Sequence, residues 1–133
     1  MRWLSLLCVL GACDPVWHVG NIAKPTAPTT DACIDGALHD TTYTIRPMSE
    51  NQPKRGWYVD SPGHELRLTW DPAQPQSLTL VMLGLGTAPP PNTLQAYRQM
   101  RDVVLEKVNA KCGPFHAGPE HCLRMTCDSG ATP

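Results

Sequence analysis

Hydrophobic and polar positions alternate most cleanly from Glu65 to Trp70, where Leu66, Leu68 and Trp70 face one way and Glu65, Arg67 and Thr69 the other. A period of two with one apolar and one polar side predicts a strand in a sheet packed on one face and wet on the other. Three further runs have strand character. Thr41 to Arg46 sets Tyr43 and Ile45 on one face, and Gly56 to Asp60 carries Trp57, Tyr58 and Val59. Ser77 to Leu83 sets Leu78, Leu80 and Met82 opposite Thr79, Val81 and Leu83. Asp60-Ser61-Pro62-Gly63 offers Pro and Gly where a type II turn needs them, which predicts a hairpin between the second and third runs. The loop from Asp71 to Gln76 is too short for a parallel crossover, so the fourth run pairs antiparallel with the third. Pro47 to Arg55 reads as an exposed loop.

The pattern changes to a helical period after the three prolines Pro89 to Pro91. Leu94, Tyr97, Val104, Leu105, Val108 and Cys112 recur near every 3.6 residues, with Asn92 or Thr93 as the cap and Gly113-Pro114 as the stop. Such a helix is about 30 Å long, enough to cover a four-stranded sheet. A shorter helix is predicted after Thr30, which caps Asp31 to Leu38 and leaves Ile34, Ala37 and Leu38 on one face. The order helix, four strands, helix predicts an α+β fold. It is a two-layer sandwich over residues 30–112, with a short N-terminal helix and a long C-terminal helix on one face of a four-stranded antiparallel sheet. Residues 13–29, with three prolines and no clear period, read as a tether of up to about 50 Å. Its Trp17 and Val19 lie either at a membrane interface or in a strap across the domain surface. Residues 113–133 read as an irregular tail that contains cysteines.

The segment Met1 to Cys13 has a charged start at Arg2, an apolar run from Trp3 to Leu10, then Gly11, Ala12 and Cys13. About eight apolar residues do not span a bilayer, which takes roughly 20 in a helix. The run has the form of a signal-peptide core. Leu10-Gly11-Ala12-Cys13 resembles the lipobox of bacterial membrane lipoproteins. That resemblance covers these thirteen residues only and implies removal of residues 1–12, a lipid on the Cys13 thiol, and a cell-envelope location on the periplasmic or extracellular side of a membrane. Asp14 resembles the residue that favours inner-membrane retention in enteric bacteria, a rule that is not universal, so the choice of membrane stays open.

Cysteine arithmetic depends on that processing. Of six cysteines, Cys8 is lost with the leader and Cys13 takes the lipid, leaving Cys33, Cys112, Cys122 and Cys127. An even number in an exported chain points to two disulfides, with three possible connectivities. Cys33 must pair with one of the distant three, which ties the start of the domain to its end. The alternative is a metal site in the tail, where His116 and His121 stand among Cys112, Cys122 and Cys127. Their spacings match no named zinc motif.

Composition narrows the function classes further. Eleven Lys and Arg against twelve Asp and Glu give a net charge of −1, which lacks the basic footprint of a nucleic-acid binder. Hydrophobic residues make up 41% of the chain, sufficient for one core. No G-x-S-x-G, H-E-x-x-H or Walker lysine occurs, and Gly84-x-Gly86 ahead of three prolines reads as a turn. His64 and Glu65, with Asp60 and Asp71 at strand ends, are the remote candidates for a small hydrolase. The more suggestive surface is aromatic and basic: Trp57 and Tyr58 beside Arg55 and Arg67, a candidate contact for an envelope protein or a glycan. The expectation is a non-enzymatic lipid-anchored binding or structural module without a cofactor. A solute- or metal-binding module is the alternative.

Overall fold

The computed structural model describes residues 16–49 and 54–123. In chain order the elements are β1 (Val16–Pro25), α1 (Asp31–His39), β2 (Thr44–Pro47), β3 (Arg55–Ser61), β4 (His64–Asp71), β5 (Ser77–Leu85), α2 (Pro91–Cys112), β6 (Phe115–Ala117) and β7 (His121–Leu123). All strand pairs are antiparallel, and the sheet runs β2-β3-β4-β5-β1, with β6 and β7 both on the outer edge of β1. The two helices pack side by side on one face of this sheet.

The α+β class, the two helices and the antiparallel sheet agree with the pattern, but the strand count is seven among the described residues rather than four. The largest correction concerns residues 13–29. From Val16 onward this segment is no tether, because β1 pairs with β5 over eight positions from Val16↔Leu85 to Ala23↔Leu78. It is interior to the sheet, and Trp17, Val19, Asn21 and Ala23 point into the core. Trp17, 4% exposed, neither faces a membrane interface nor straps the surface. The short helix α1 is consequently not the first element. The reason its strand was hard to read is low contrast between faces: the buried side includes Asn21, and the open side includes Val16 and Ile22.

Within the segment 113–133, read as an irregular tail, residues 115–117 and 121–123 are likewise paired with β1. In β6, Phe115 to Ala117 pair with Pro25 to Ala23, and in β7, His121 to Leu123 pair with Gly20 to His18. The two pieces follow one another along the same edge, interrupted at residues 118–120, where the Gly118 N–H donates to the Ile22 carbonyl at 2.8 Å. The domain therefore extends beyond 30–112 in both directions.

Helix α1 forms as its sequence dictates. The Thr30 hydroxyl accepts from the Cys33 N–H at 3.2 Å, one of the four donors a helix start leaves free. Ile34, Ala37 and Leu38 are fully buried. The start of α2 differs from expectation: neither Asn92 nor Thr93 caps it, and the Pro90 carbonyl instead accepts from the N–H groups of Thr93 and Leu94. Proline suits the first turn because its φ is preset and its missing N–H would be unpaired there anyway. The buried stripe of α2 is Leu94, Tyr97, Met100, Val104 and Val108, with Leu105 and Cys112 half-buried at its margin. Gly113, at φ 91°, ends the helix.

The β3–β4 hairpin has the predicted turn. Ser61 pairs with His64 around Pro62-Gly63, and Gly63 takes φ 83°, the left-handed value a type II turn requires at that position. A disulfide joins Cys33 in α1 to Cys112 at the end of α2, with 5.8 Å between α-carbons. Ion pairs add to this clamp. Lys111 reaches Asp40 at 3.4 Å, and Arg55 reaches Asp31 at 3.0 Å. The Trp57 indole N–H donates to the Asp35 carboxylate at 2.9 Å, fixing α1 over β3.

Candidate functional site: the open face of the sheet

With both helices on one side, the other side of the sheet presents a second set of side chains with a period of two. Its β2–β4 half is polar and aromatic. Tyr58 stands between Arg46, whose guanidinium carbon is 4.6 Å from the ring centroid, and Arg67 at 5.6 Å. Both distances are within cation–π range. Arg46 also donates to Asp60 at 2.6 and 3.2 Å and to Glu65 at 2.8 Å, and Arg67 donates to Glu65 at 3.2 Å. The hydrogen bond from Arg46 holds the Asp60 carboxyl below the usual carboxylate range. The result is a charge-balanced lattice around one tyrosine.

The β5–β1 half of the same face is different in character. Val16 pairs with Leu85 and His18 with Leu83, so these four side chains form one patch at the end of the sheet where β1 begins. Leu85 is 78% exposed, and Val16 and Leu83 are each 39% exposed. His18 meets His121 of β7 edge to face, with ring centroids 5.5 Å apart. Burial, and secondarily the neighbouring His121, lowers the His18 pKa below the ordinary histidine value.

Behind this half, between the sheet and α2, lies a polar network. Asn21, 4% exposed, accepts from the Tyr97 hydroxyl at 2.6 Å and from Arg101 at 3.3 Å, and its amide donates to the Gly118 carbonyl at 3.0 Å. Glu120, at the interruption between β6 and β7, accepts two bonds from Arg98 at 2.7 and 3.0 Å and one from Arg101 at 2.9 Å. The Arg98 hydrogen bond is the main reason the Glu120 carboxyl titrates below its ordinary range. Burial pushes the Tyr97 hydroxyl well above the usual phenol value. A buried polar group costs free energy unless it is paired, and every buried side-chain nitrogen or oxygen among the described residues has a partner. The arrangement locks the interrupted edge strand to α2.

The sequence-derived contact group Trp57, Tyr58, Arg55 and Arg67 is split by the sheet. Tyr58 and Arg67 share the open face. Trp57 is fully buried, and Arg55 lies 5.3 Å over its ring on the helix side, paired with Asp31. One strand cannot present adjacent residues on the same side. Arg46, missed in the sequence because it sits at a strand edge, takes the place Arg55 was expected to hold.

His64, Glu65 and Arg67 line a shallow cleft of about 160 Å³ together with Gly63, Met82, Leu83 and Thr93. Asp71 belongs elsewhere, at the far end of β4, 3.8 Å from Lys54, and Asp60 and Glu65 are engaged by arginines. Of the residues proposed for a hydrolase, His64, Glu65 and Asp60 thus lie together at the β3–β4 turn, with both carboxylates bonded to Arg46, and Asp71 lies apart. In the alternative metal set, His116 pairs with Lys24 and His121 with Gly20 on successive pieces of the edge strand. Among the described residues no three His, Cys, Asp or Glu side chains converge as a metal site. Cys33 and Cys112 form the disulfide, Cys122 is also disulfide-bonded, and Cys13, Cys127 and the expected leader 1–12 lie outside the described residues.

The apolar patch was partly visible in the sequence, since Val81 and Leu83 make both sides of the fourth run apolar at its end. His18, Val16 and Glu120 carried no such signal. Among the described residues no helix is long and apolar enough to cross a membrane. Compared with family models, curated proteins and solved structures, the chain matches none.

Proposed function

We propose that this chain is a lipid-anchored bacterial cell-envelope protein whose disulfide-braced α+β domain serves as a non-enzymatic binding or structural module. The observation that carries the reading is Leu10-Gly11-Ala12-Cys13, placed directly after a short apolar run with a basic start. The Cys33–Cys112 disulfide supports it, because such bonds persist in oxidising compartments. For the module itself, support comes from the open sheet face, where Tyr58 between Arg46 and Arg67 offers an aromatic ring and hydrogen-bond donors to a glycan or an envelope protein. An aromatic flanked by arginines is the composition that dominates binding interfaces.

The test is mass spectrometry of the mature chain expressed in a bacterium with its leader. An N-terminal peptide beginning at Cys13 and carrying a diacylglycerol is the expected result. A mature start elsewhere, or an unmodified Cys13, defeats the anchor. For the module, a pull-down from detergent-solubilised envelopes with wild type and Tyr58→Ala should recover a ligand with the first and not the second.

A further inference from the structure

We infer that the apolar end of the open sheet face, Val16, Leu83 and Leu85, rests on the lipid bilayer, so that the domain lies against the membrane instead of standing off from it. This inference rests on the proposed lipid at Cys13 and adds where the domain sits. The first argument is reach. Only Asp14 and Pro15 separate Cys13 from Val16, the first residue of β1. Three residues span at most about 10 Å when fully extended. The headgroup layer is itself about 5 to 7 Å deep on each side of the hydrocarbon core. With the Cys13 sulfur held at the base of that layer by its acyl chains, Val16 stands within the headgroups or just above them.

The second argument is what surrounds Val16. Its register partner Leu85 is 78% exposed, and Leu83, two residues back on the same face, is 39% exposed. Large aliphatic side chains side by side on an open face are poorly placed in water and well placed at the boundary between headgroups and acyl chains. On the same face the charged lattice of Arg46, Asp60, Glu65 and Arg67 begins at β4, directly beside Leu83, and so confines the apolar contact to the β5–β1 strip. A domain on a long flexible tether would have no fixed orientation. One joined through two residues to a central strand has little choice.

The experiment places the mature lipidated protein in phosphatidylcholine vesicles containing a lipid with a photoactivatable acyl chain, and maps the adducts by peptide mass spectrometry. Adducts should concentrate at Val16 and at Leu83 to Leu85, at least tenfold above those at Tyr58 or Arg46 on β3 and β2. The double variant Leu83→Asp/Leu85→Asp should lose them at positions 83 and 85 while staying vesicle-bound. The same spectra report the mass of the N-terminal peptide. If Cys13 carries lipid but Val16 and Leu85 stay unlabelled, whether covered by a second copy or facing water, the bilayer contact is wrong and the anchor stands. If Cys13 carries none, both readings fall.

Discussion

The indole of Trp17 occupies the space over Gly84 where any side chain at that position would begin, and its Nε1–H donates to the Leu85 carbonyl at 3.1 Å. The β1–β5 pair is thus closed at the end where β1 begins by one aromatic ring seated on one glycine. A β-carbon at residue 84 would overlap the ring, so Gly84→Ala should cost about 1 to 3 kcal/mol through displacement of Trp17. Gly63→Ala makes the comparison, because nothing stands near its β-carbon and the expected cost of about 1 to 2 kcal/mol is purely that of a left-handed backbone. Urea unfolding separates the two, since only the first should also perturb the Trp17 environment in near-ultraviolet circular dichroism.

The Cys33–Cys112 bond spans 79 residues. A bridge closing so long a loop restricts the unfolded chain strongly, and Cys33→Ala/Cys112→Ala should lose about 2 to 5 kcal/mol. Calorimetry of the variant should show a fall in Tm, while far-ultraviolet circular dichroism keeps the helix content if the fold survives. An unchanged Tm would mean that packing between α1 and α2 already supplies the constraint.

Adjacent residues on β3 should respond in opposite ways. Trp57 is wholly buried and bonded to Asp35, so Trp57→Ala is expected to cost about 3 to 5 kcal/mol. Tyr58 lies on the open face, so Tyr58→Ala should cost less than about 1 kcal/mol and serves as the binding variant that spares the fold. Denaturant midpoints of the two proteins check this directly.

Acid should loosen the edge strand through Glu120. Glu120 has a folded pKa depressed below its unfolded value of 4.5, chiefly by its Arg98 hydrogen bond, so its contribution is complete above pH 4.5 and is lost as pH falls through the lower folded value. Glu120→Gln should flatten the stability profile in that acid window. Hydrogen exchange at residues 115–123 is the local readout.

His18 acts in a higher window with the same sign. Its folded pKa lies below the ordinary histidine value of 6.5 because burial disfavours the imidazolium, with His121 adding repulsion. Stability tied to it is therefore full above pH 6.5 and declines as pH falls through the folded value. An NMR titration should place His18 below 6.5, and His121→Gln should raise it part of the way back. A His18 that titrates at or above 6.5 would contradict both causes.

Much of the architecture was legible from residues alone. Leu66, Leu68 and Trp70 alternate against charged neighbours, Pro62-Gly63 can hardly be other than a turn, and Thr30 caps a helix whose apolar residues repeat on one side. In each, partners lie within a few residues, so local geometry decides. The helix α2 was equally plain, although its prolines and not Asn92 or Thr93 start it. The candidate site was only half legible. Alternation separates Tyr58 from Trp57 as soon as a strand is assigned, but nothing local puts Arg46 beside Tyr58, which requires the β2–β3 register.

What the sequence by itself determined, then, is the α+β class, the β3–β4–β5 meander, the two helices and a lipobox-like motif that ends at Cys13. Only the tertiary structure decided that Val16 to Pro25 is an interior strand and that residues 115–123 form its outer edge. The physical reason is range: β1 meets β5 some sixty residues later and β6 and β7 about a hundred residues later, and a strand with weak contrast between its faces becomes one only through those partners. That same pairing turned a supposed tether into a short link, and so brought the apolar patch of Val16 and Leu85 next to the proposed lipid.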